Sequence, residues 1–114
     1  MTLAMYSAED LPPAPLEAAA HFYSRILPAI REDLPHIAEV IVTFARADHA
    51  HQAWRLAAIQ ALAREAAPKR VNGIVGGDLD AVRGVCDFLE RAPGITGQLL
   101  AVGGDVDGKS GESG

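Results

Sequence analysis

The stretch RVNGIVGGD, residues 70–78, contains the residue types of a phosphate-binding loop. An apolar run leads into glycines and a helix start, an arrangement that presents backbone amides to a pyrophosphate. The spacing differs from the dinucleotide-binding G-x-G-x-x-G, because the glycines are Gly73, Gly76 and Gly77. Asp78 and Asp80 also place negative charge where a phosphate would lie. We therefore expect a tight turn from strand to helix here, in preference to a phosphate site.

Two other places carry residues with the chemistry of ligands or nucleophiles. Asp48, His49 and His51 have the side chains of zinc ligands. Residues two apart at the start of a helix point in different directions, so we expect a solvated helix end and no metal site. Cys86 lies in an apolar helical pattern, which favours a buried and unreactive thiol.

Two arginines and the single tryptophan are candidates for ligand binding. Arg46 and Arg55 have the charge to bind an anionic group, but we expect both to be solvated at the surface. Trp54 lies on an alanine-rich helix face. We expect this indole to pack, within the molecule or between molecules, in preference to stacking on a ligand.

Apolar residues at helical spacing predict three helices, at about 16–32, at about 49–67, and from Asp78 to Pro93. Asp48 and Asp78 are N-cap residue types, and we expect Pro28 to bend or tighten the end of the first helix. The predicted inner faces are Leu16, Ala19, Tyr23, Ile26, Leu27 and Ile30; Ala50, Ala53, Trp54, Ala57, Ala61 and Leu62; and Leu79, Val82, Val85, Cys86 and Leu89.

Short apolar runs predict three strands, at 40–44, 70–75 and 97–102. The first run, VIVTF, is rich in β-branched residues and is typical of a strand buried on both faces of a parallel sheet. Helices and strands alternate, so the fold class is α/β. We expect a partial Rossmann-like three-layer sandwich of about three parallel strands, with two helices on one face and one on the other.

The two ends of the chain differ from its middle. The start, 1–15, is rich in proline, and the tail, 105–114, has almost no large apolar residue. We expect both segments to add little to the core and the tail to be disordered. Residues 16–104 then form one half-domain.

Composition excludes several classes of function. The net charge is −5, with 10 basic and 15 acidic residues and no basic run interleaved with aromatics, so we expect no nucleic-acid partner. The chain has one cysteine, no basic leader followed by an apolar run, and no apolar run long enough for a bilayer. We therefore expect a soluble cytoplasmic protein with no membrane partner.

Three segments together resemble a known family. They are ILPAIREDLPHIAEVIVTF (26–44), ALAREAAPKRVNGIVGG (61–77) and CDFLERAPGITGQLLAVGG (86–104). They resemble the C-terminal half of short-chain dehydrogenase/reductases (SDRs), particularly the 3-oxoacyl-carrier-protein reductases, over about residues 15–104. The family's dinucleotide-binding half has no counterpart in these 114 residues.

The resemblance implies that the family's catalytic residues are replaced. Its Y-x-x-x-K motif falls on Asp48 and Gln52, which supply neither a phenol with a pKa near 10 nor a cation. Its serine position falls at Ala45 and Arg46, and its asparagine near Pro15. We expect no catalytic residue in this chain.

The resemblance also implies loss of the cofactor site. Asn72, Gly76 and Gly77 correspond to a loop beside the family's cofactor, and we term them the vestigial loop. The helix that starts at Asp78 follows at once, where the family inserts a substrate-covering segment. We expect no bound cofactor, or else NADP or NAD held through a partner chain.

Association surfaces are the family property that we expect to persist. In related reductases the two helices that resemble 16–32 and 49–67 form a four-helix bundle with another subunit, and the last helix and strand make a second contact. The interface candidates are Tyr23, Ile26, Ala50, Ala53, Trp54, Ala57, Ala61, Leu99 and Ala101. The outer edge of the VIVTF strand is bare unless residues 1–15 or another polypeptide cover it.

These expectations lead to one hypothesis and one alternative. The hypothesis is a non-catalytic SDR-like subunit that associates with itself or with a full-length short-chain reductase. The alternative is half of a split NAD(P)-dependent oxidoreductase that reduces a carbonyl or 3-oxoacyl group with a cofactor site from another chain. A decayed gene product without a role also fits the sequence.

Overall fold

A computed structural model describes residues 2–102, so the tail predicted to be disordered lies outside the described residues. The main elements are β1 (Leu3–Ala8), α1 (Pro15–His21), a π-helical segment (Phe22–Ile26), α2 (Leu27–Asp33), β2 (Glu39–Phe44), α3 (Gln52–Ala66), β3 (Arg70–Val75), α4 (Leu79–Glu90) and β4 (Leu99–Ala101). Short 3-10 helices precede β2 at Leu34–His36 and α3 at His49–His51.

The strands form one parallel sheet in the order β1-β2-β3-β4. Leu3 pairs with Glu39, Glu39 with Arg70, and Gly73 with Leu99. Every residue of β2 is buried, as expected for an inner strand of a parallel sheet. The three predicted strands are therefore confirmed, and β1 is an additional one.

Helices cover both faces of the sheet. The first helical layer, made by α1, the π-helical segment, α2 and α3, packs on one core, and α4 packs on the other. The larger core includes Phe22, Ile30, Val40, Val42, Phe44, Ile59, Leu62 and Val71. The smaller core contains Ile41, Ile74, Val82, Leu89 and Val102. This arrangement confirms the α/β three-layer fold with two helical elements on one face and one on the other.

The N-terminal segment contributes more than its composition predicted. β1 pairs with β2 along its whole length, and Ala8 is 2% exposed. Ala4 and Tyr6 pack on the larger core, because alternate residues of a strand face the same side. This segment covers the β2 edge that the sequence left without an assigned neighbour.

The inner face of the first helical element differs from the prediction. Ala18, Phe22 and Ile30 are buried, whereas Leu16 is 87% exposed. The Leu27 N–H donates to the Phe22 carbonyl five residues back, so the π-helical segment rotates the later residues away from a uniform helical face. Pro28 has no N–H to donate and lies at the start of α2, not in a last turn.

The inner face of α3 is also different from the prediction. The buried residues are Arg55, Ala58, Ile59, Leu62, Ala63 and Ala66. Ala50, Ala53, Ala57 and Ala61, which were predicted to face inward, are exposed. The larger Ile59 and Leu62 side chains decide the orientation, because burying them removes more apolar area from water than burying alanine does.

Within residues 2–102, no helix is both long enough and apolar enough to cross a bilayer.

Candidate functional site

A cavity lies at the carboxyl ends of β2 and β3, next to the start of α3. Its volume is about 190 Å³, and it is lined by Ala47, Asp48, His49, Gln52, Arg55, Val75, Leu99 and Ala101. Ligands of open α/β sheets bind at this end of the strands. The cavity also contains Asp48 and Gln52, which the sequence resemblance predicts at the family's tyrosine and lysine positions, so we take it as the candidate site.

Asp48 has a structural role at this site, and Gln52 is an exposed polar residue. The Asp48 carboxylate accepts a hydrogen bond from the Ala50 N–H at 3.1 Å and so caps the helical segment, as predicted. Gln52 begins α3 and is exposed. A capping carboxylate and a neutral amide provide neither a weak acid with a high pKa nor a cation beside it. The absence of a catalytic pair remains a prediction that this chemistry supports.

Arg55 is buried in the site, contrary to the expectation that it is solvated. Its side chain is on the inner face of α3, and the residue is 6% exposed. Nη1 donates to the Ala45 carbonyl at 2.8 Å, and the guanidinium carbon lies 4.8 Å from the centre of the Phe44 ring. Nε is buried without a hydrogen-bond partner. Burial lowers the pKa of Arg55 below its ordinary value.

No ion pair offsets this buried charge within the described part of the chain. Among residues 2–102, Arg31 and Arg70 each have a carboxylate within 4.0 Å of the guanidinium, and Arg55 has none. Sequence reasoning missed this feature because arginine on an alanine-rich helix ordinarily faces solvent. The only available signal was spacing, since Arg55 precedes Ile59 and Leu62 by four and seven residues on one helical face.

The two histidines do not form a metal site with Asp48. His51 is buried, with Nε2 2.9 Å from the Pro13 carbonyl and Nδ1 accepting from Trp54 Nε1 at 3.1 Å. Both ring nitrogens of His51 are therefore engaged, while His49 is exposed at the cavity. No group of three histidine, cysteine or acidic side chains among residues 2–102 is placed to hold a metal ion.

The side chains of Asp78 and Arg46 lie against the glycine-rich turn. Gly76 and Gly77 have φ angles of +77° and +86°, which favour glycine, and the Gly76 N–H donates to the Phe44 carbonyl at 2.9 Å. Asp78 accepts from the Ala81 N–H at 2.9 Å and so occupies the N-terminus of α4. A Cβ on Gly76 would lie 2.9 Å from Cγ of Arg46. The predicted tight turn is confirmed.

Asn72 lies apart from this turn and has a structural role. The residue is fully buried. Its Nδ2 donates to the Ile95 carbonyl at 3.1 Å, and its Oδ1 accepts from the Gln98 N–H at 3.0 Å. These bonds attach β3 to the loop before β4, so Asn72 joins the two family-like segments RVN and ITGQ. Of the vestigial loop, only the glycines lie at the carboxyl edge of the sheet.

Cys86 is half-buried, whereas the sequence predicted a buried thiol. Burial raises the pKa of its thiol, and the Glu39 and Asp87 carboxylates raise it further. A raised pKa lowers the fraction of thiolate, which is the reactive form of cysteine. The thiol is thus partly accessible but poorly nucleophilic at neutral pH.

The interface candidates fall into two groups by exposure. Tyr23 is 44% exposed. Trp54 is half-buried against Phe22 and Phe44, with ring centres 5.8 and 5.9 Å apart, so much of its packing is within the chain. The full set is divided into exposed Tyr23, Ala50, Ala53, Ala57, Ala61 and Ala101, and half-buried Ile26, Trp54 and Leu99.

Comparison with known proteins places this fold in a family. The model of the SDR-like family, described as short chain dehydrogenase-like protein, matches residues 6–102. The match begins within β1 and ends at the last described residue, so it includes the end of β1, the whole of β2, β3 and β4, and the cavity. No curated protein and no solved structure matches the chain. The chain therefore belongs to the SDR-like family of short chain dehydrogenase-like proteins.

Proposed function

We propose that this SDR-like protein is a non-catalytic subunit that self-associates, or associates with a full-length short-chain reductase, as a structural or regulatory partner. The residues at the candidate site support the absence of catalysis, because the tyrosine and lysine positions of the family hold Asp48 and Gln52. The proposal includes the predicted cytoplasmic location.

The observation that carries the proposal is an exposed face of small residues on α3 and on the 3-10 helix that precedes it. We term Ala50, Ala53, Ala57 and Ala61 the alanine face; all four are exposed and recur at helical spacing. α1 packs against α3 and exposes Leu16, and Tyr23 follows in the π-helical segment. Small residues allow close approach of another helix, while exposed leucine and tyrosine add apolar area to bury.

The test is the mass of the purified protein by size-exclusion chromatography with light scattering. We expect a dimer or tetramer, with and without NADPH or NADH. Ala57→Arg places a long charged side chain on the alanine face and is expected to shift the protein to monomer. Gly94→Arg is the matched control, because a side chain at Gly94 meets no atom within 4 Å and lies outside this face. Gly94→Arg should keep the wild-type mass.

Association with a reductase is tested with the tagged protein in its host. We expect a short-chain reductase, identified by mass spectrometry, to co-purify with the wild type and to be lost with Ala57→Arg. A protein that is monomeric at micromolar concentration and captures no reductase would contradict the proposal.

The open outer edge of β1 favours the alternative of a split oxidoreductase. Within residues 2–102, β1 pairs only with β2. The backbone groups on its outer edge are therefore available to pair with a strand of a cofactor-binding chain. The test is NADPH-dependent reduction by the pair reconstituted from both chains. Activity that survives both Asp48→Ala and Gln52→Ala would place the acid and base on other residues; no activity with any candidate chain would contradict the alternative.

A further inference from the structure

Arg55 has more hydrogen-bond donors than partners. A guanidinium carries five N–H donors. The described residues accept one hydrogen bond, from Nη1 to the Ala45 carbonyl, and Nε is buried with no acceptor. The aromatic ring of Phe44 covers part of the guanidinium at 4.8 Å. The donors that remain have no protein acceptor within residues 2–102.

An unpaired cation in this position is costly without a bound anion. Taking a charge out of water is unfavourable unless an opposite charge or hydrogen bonds replace the lost hydration. The lowered pKa of Arg55 has desolvation as its cause, with no compensating carboxylate. Asp48 on the cavity lining does not offset this charge, because within residues 2–102 it forms no ion pair with Arg55.

The cavity beside Arg55 is suited to an anion with an apolar part. Arg55 is its buried cationic lining residue, and Val75, Leu99 and Ala101 form an apolar wall. His49 and Gln52 are further polar groups on the lining, and Asp48 is its acidic group. A volume of about 190 Å³ is several times the roughly 30 Å³ that a water molecule occupies in the liquid, so the cavity has room for a small organic anion.

We propose that this cavity binds a short-chain monocarboxylate, whose carboxylate accepts hydrogen bonds from Arg55 and whose alkyl part packs on Val75, Leu99 and Ala101. A planar carboxylate matches the guanidinium donors. The apolar wall favours an alkyl carboxylate over an inorganic anion, and butyrate is a short carboxylate with an alkyl part.

Trp54 provides the readout, because it is the single tryptophan and its ring centre lies 6.0 Å from the Arg55 guanidinium. Full-length protein is titrated with sodium butyrate, with sodium chloride at equal ionic strength as the reference. We expect a saturable change in tryptophan fluorescence and a rise in Tm, since a ligand that binds only the folded state stabilises it. Butan-1-ol should produce neither change.

The first variant removes the charge and keeps the length of the side chain. Arg55→Met is expected to weaken butyrate binding by at least about tenfold, because a charge-assisted hydrogen bond is lost. Arg64→Met is the control, since Arg64 is an exposed arginine on the same helix. An Arg55→Met protein that responds to butyrate like the wild type would overturn the proposal, as would a wild type that responds only as it does to sodium chloride.

A second variant tests the apolar wall while leaving Arg55 in place. Ala101→Leu fills part of the cavity from an exposed position on β4, so it should weaken butyrate more than formate. Equal effects on the two anions would overturn the proposal. Inorganic phosphate that binds as tightly as butyrate would also overturn it, because the apolar wall would then have no role. This variant decides the question if Arg55→Met does not fold.

Discussion

Arg70 connects three parts of the chain at the amino ends of the strands. Its Nη1 donates to the carbonyls of Leu89 and Ala92, each at 2.9 Å, near the end of α4. Its Nη2 forms a 2.9 Å ion pair with Glu39 on β2. Both side chains of this pair are largely buried, in contrast to Arg55, whose charge has no such partner. One arginine is thus satisfied by the fold and the other is available to a ligand.

Arg70→Met is expected to lower the free energy of unfolding by about 3 kcal/mol or more, because Glu39 keeps a buried charge without a partner. Chemical denaturation followed by circular dichroism measures this change. Arg31→Met is the control, since the Arg31–Glu65 ion pair is exposed and such pairs contribute little to stability. Equal losses in the two variants would contradict this role for Arg70.

Sequence patterns at the residue scale identified caps but not buried charges. Asp48 and Asp78 were predicted as N-caps from residue type and position alone, and both are. The burial of Arg55 and the hydrogen bonds of Asn72 depend on residues 10 to 26 positions away in the chain. A local pattern contains no information about such partners.

At the scale of elements, each helix of the site begins at an aspartate. Asp48 caps the 3-10 helix that leads into α3, and Asp78 caps α4. Both helices begin at the carboxyl ends of strands, beside the candidate cavity or the glycine-rich turn. Each aspartate accepts a backbone hydrogen bond that the first helical turn otherwise leaves unmade. Asp48, which the resemblance predicts at the family's tyrosine position, therefore stabilises the start of a helical segment.

Asp48→Ala and Asp78→Ala are each expected to lower the free energy of unfolding by about 1 kcal/mol, the usual contribution of an N-cap. Asp48→Asn and Asp78→Asn are the matched variants, because asparagine caps helices about as well as aspartate. Urea denaturation compares the four proteins. If Asn and Ala destabilise equally, charge rather than capping would explain the effect.

The first helical element shows how a short π-helical segment changes which residues face the core. A regular helical period over 16–32 predicted an inner face that included Leu16 and Tyr23, but both are exposed. The π-helical segment before Pro28 adds a wider turn, and the residues on either side of it follow different phases. Periodicity alone does not report where a helix changes its hydrogen-bond pattern.

At the scale of the whole molecule, β1 pairs with the edge of β2 that would otherwise be exposed. It pairs with β2 over Leu3–Ala8 and is attached to α2 by a 2.7 Å hydrogen bond from Tyr6 to Asp33. Without β1, the fully buried β2 would present unpaired backbone groups and apolar side chains. The N-terminal strand, although it precedes a proline-rich stretch, is therefore part of the domain.

Deletion of residues 1–8 is expected to cause aggregation, because an apolar edge strand pairs with other chains. Size-exclusion chromatography and thermal unfolding of the shortened protein measure this outcome. The double variant Leu3→Ser and Met5→Ser is a control, since both side chains lie partly exposed on β1 and their loss leaves the backbone pairing intact. A shortened protein that stays monodisperse with an unchanged Tm would contradict this role for β1.

The sequence by itself determined the α/β class, three of the four strands, the helical segments and both aspartate caps, since these follow from local periodicity and side-chain chemistry. Tertiary structure decided which helix faces are buried, the pairing of β1 with β2, and the position of Arg55 in the cavity. The reason is physical: alanine is compatible with either side of a helix, and a strand edge or a buried charge is defined by neighbours distant in the chain.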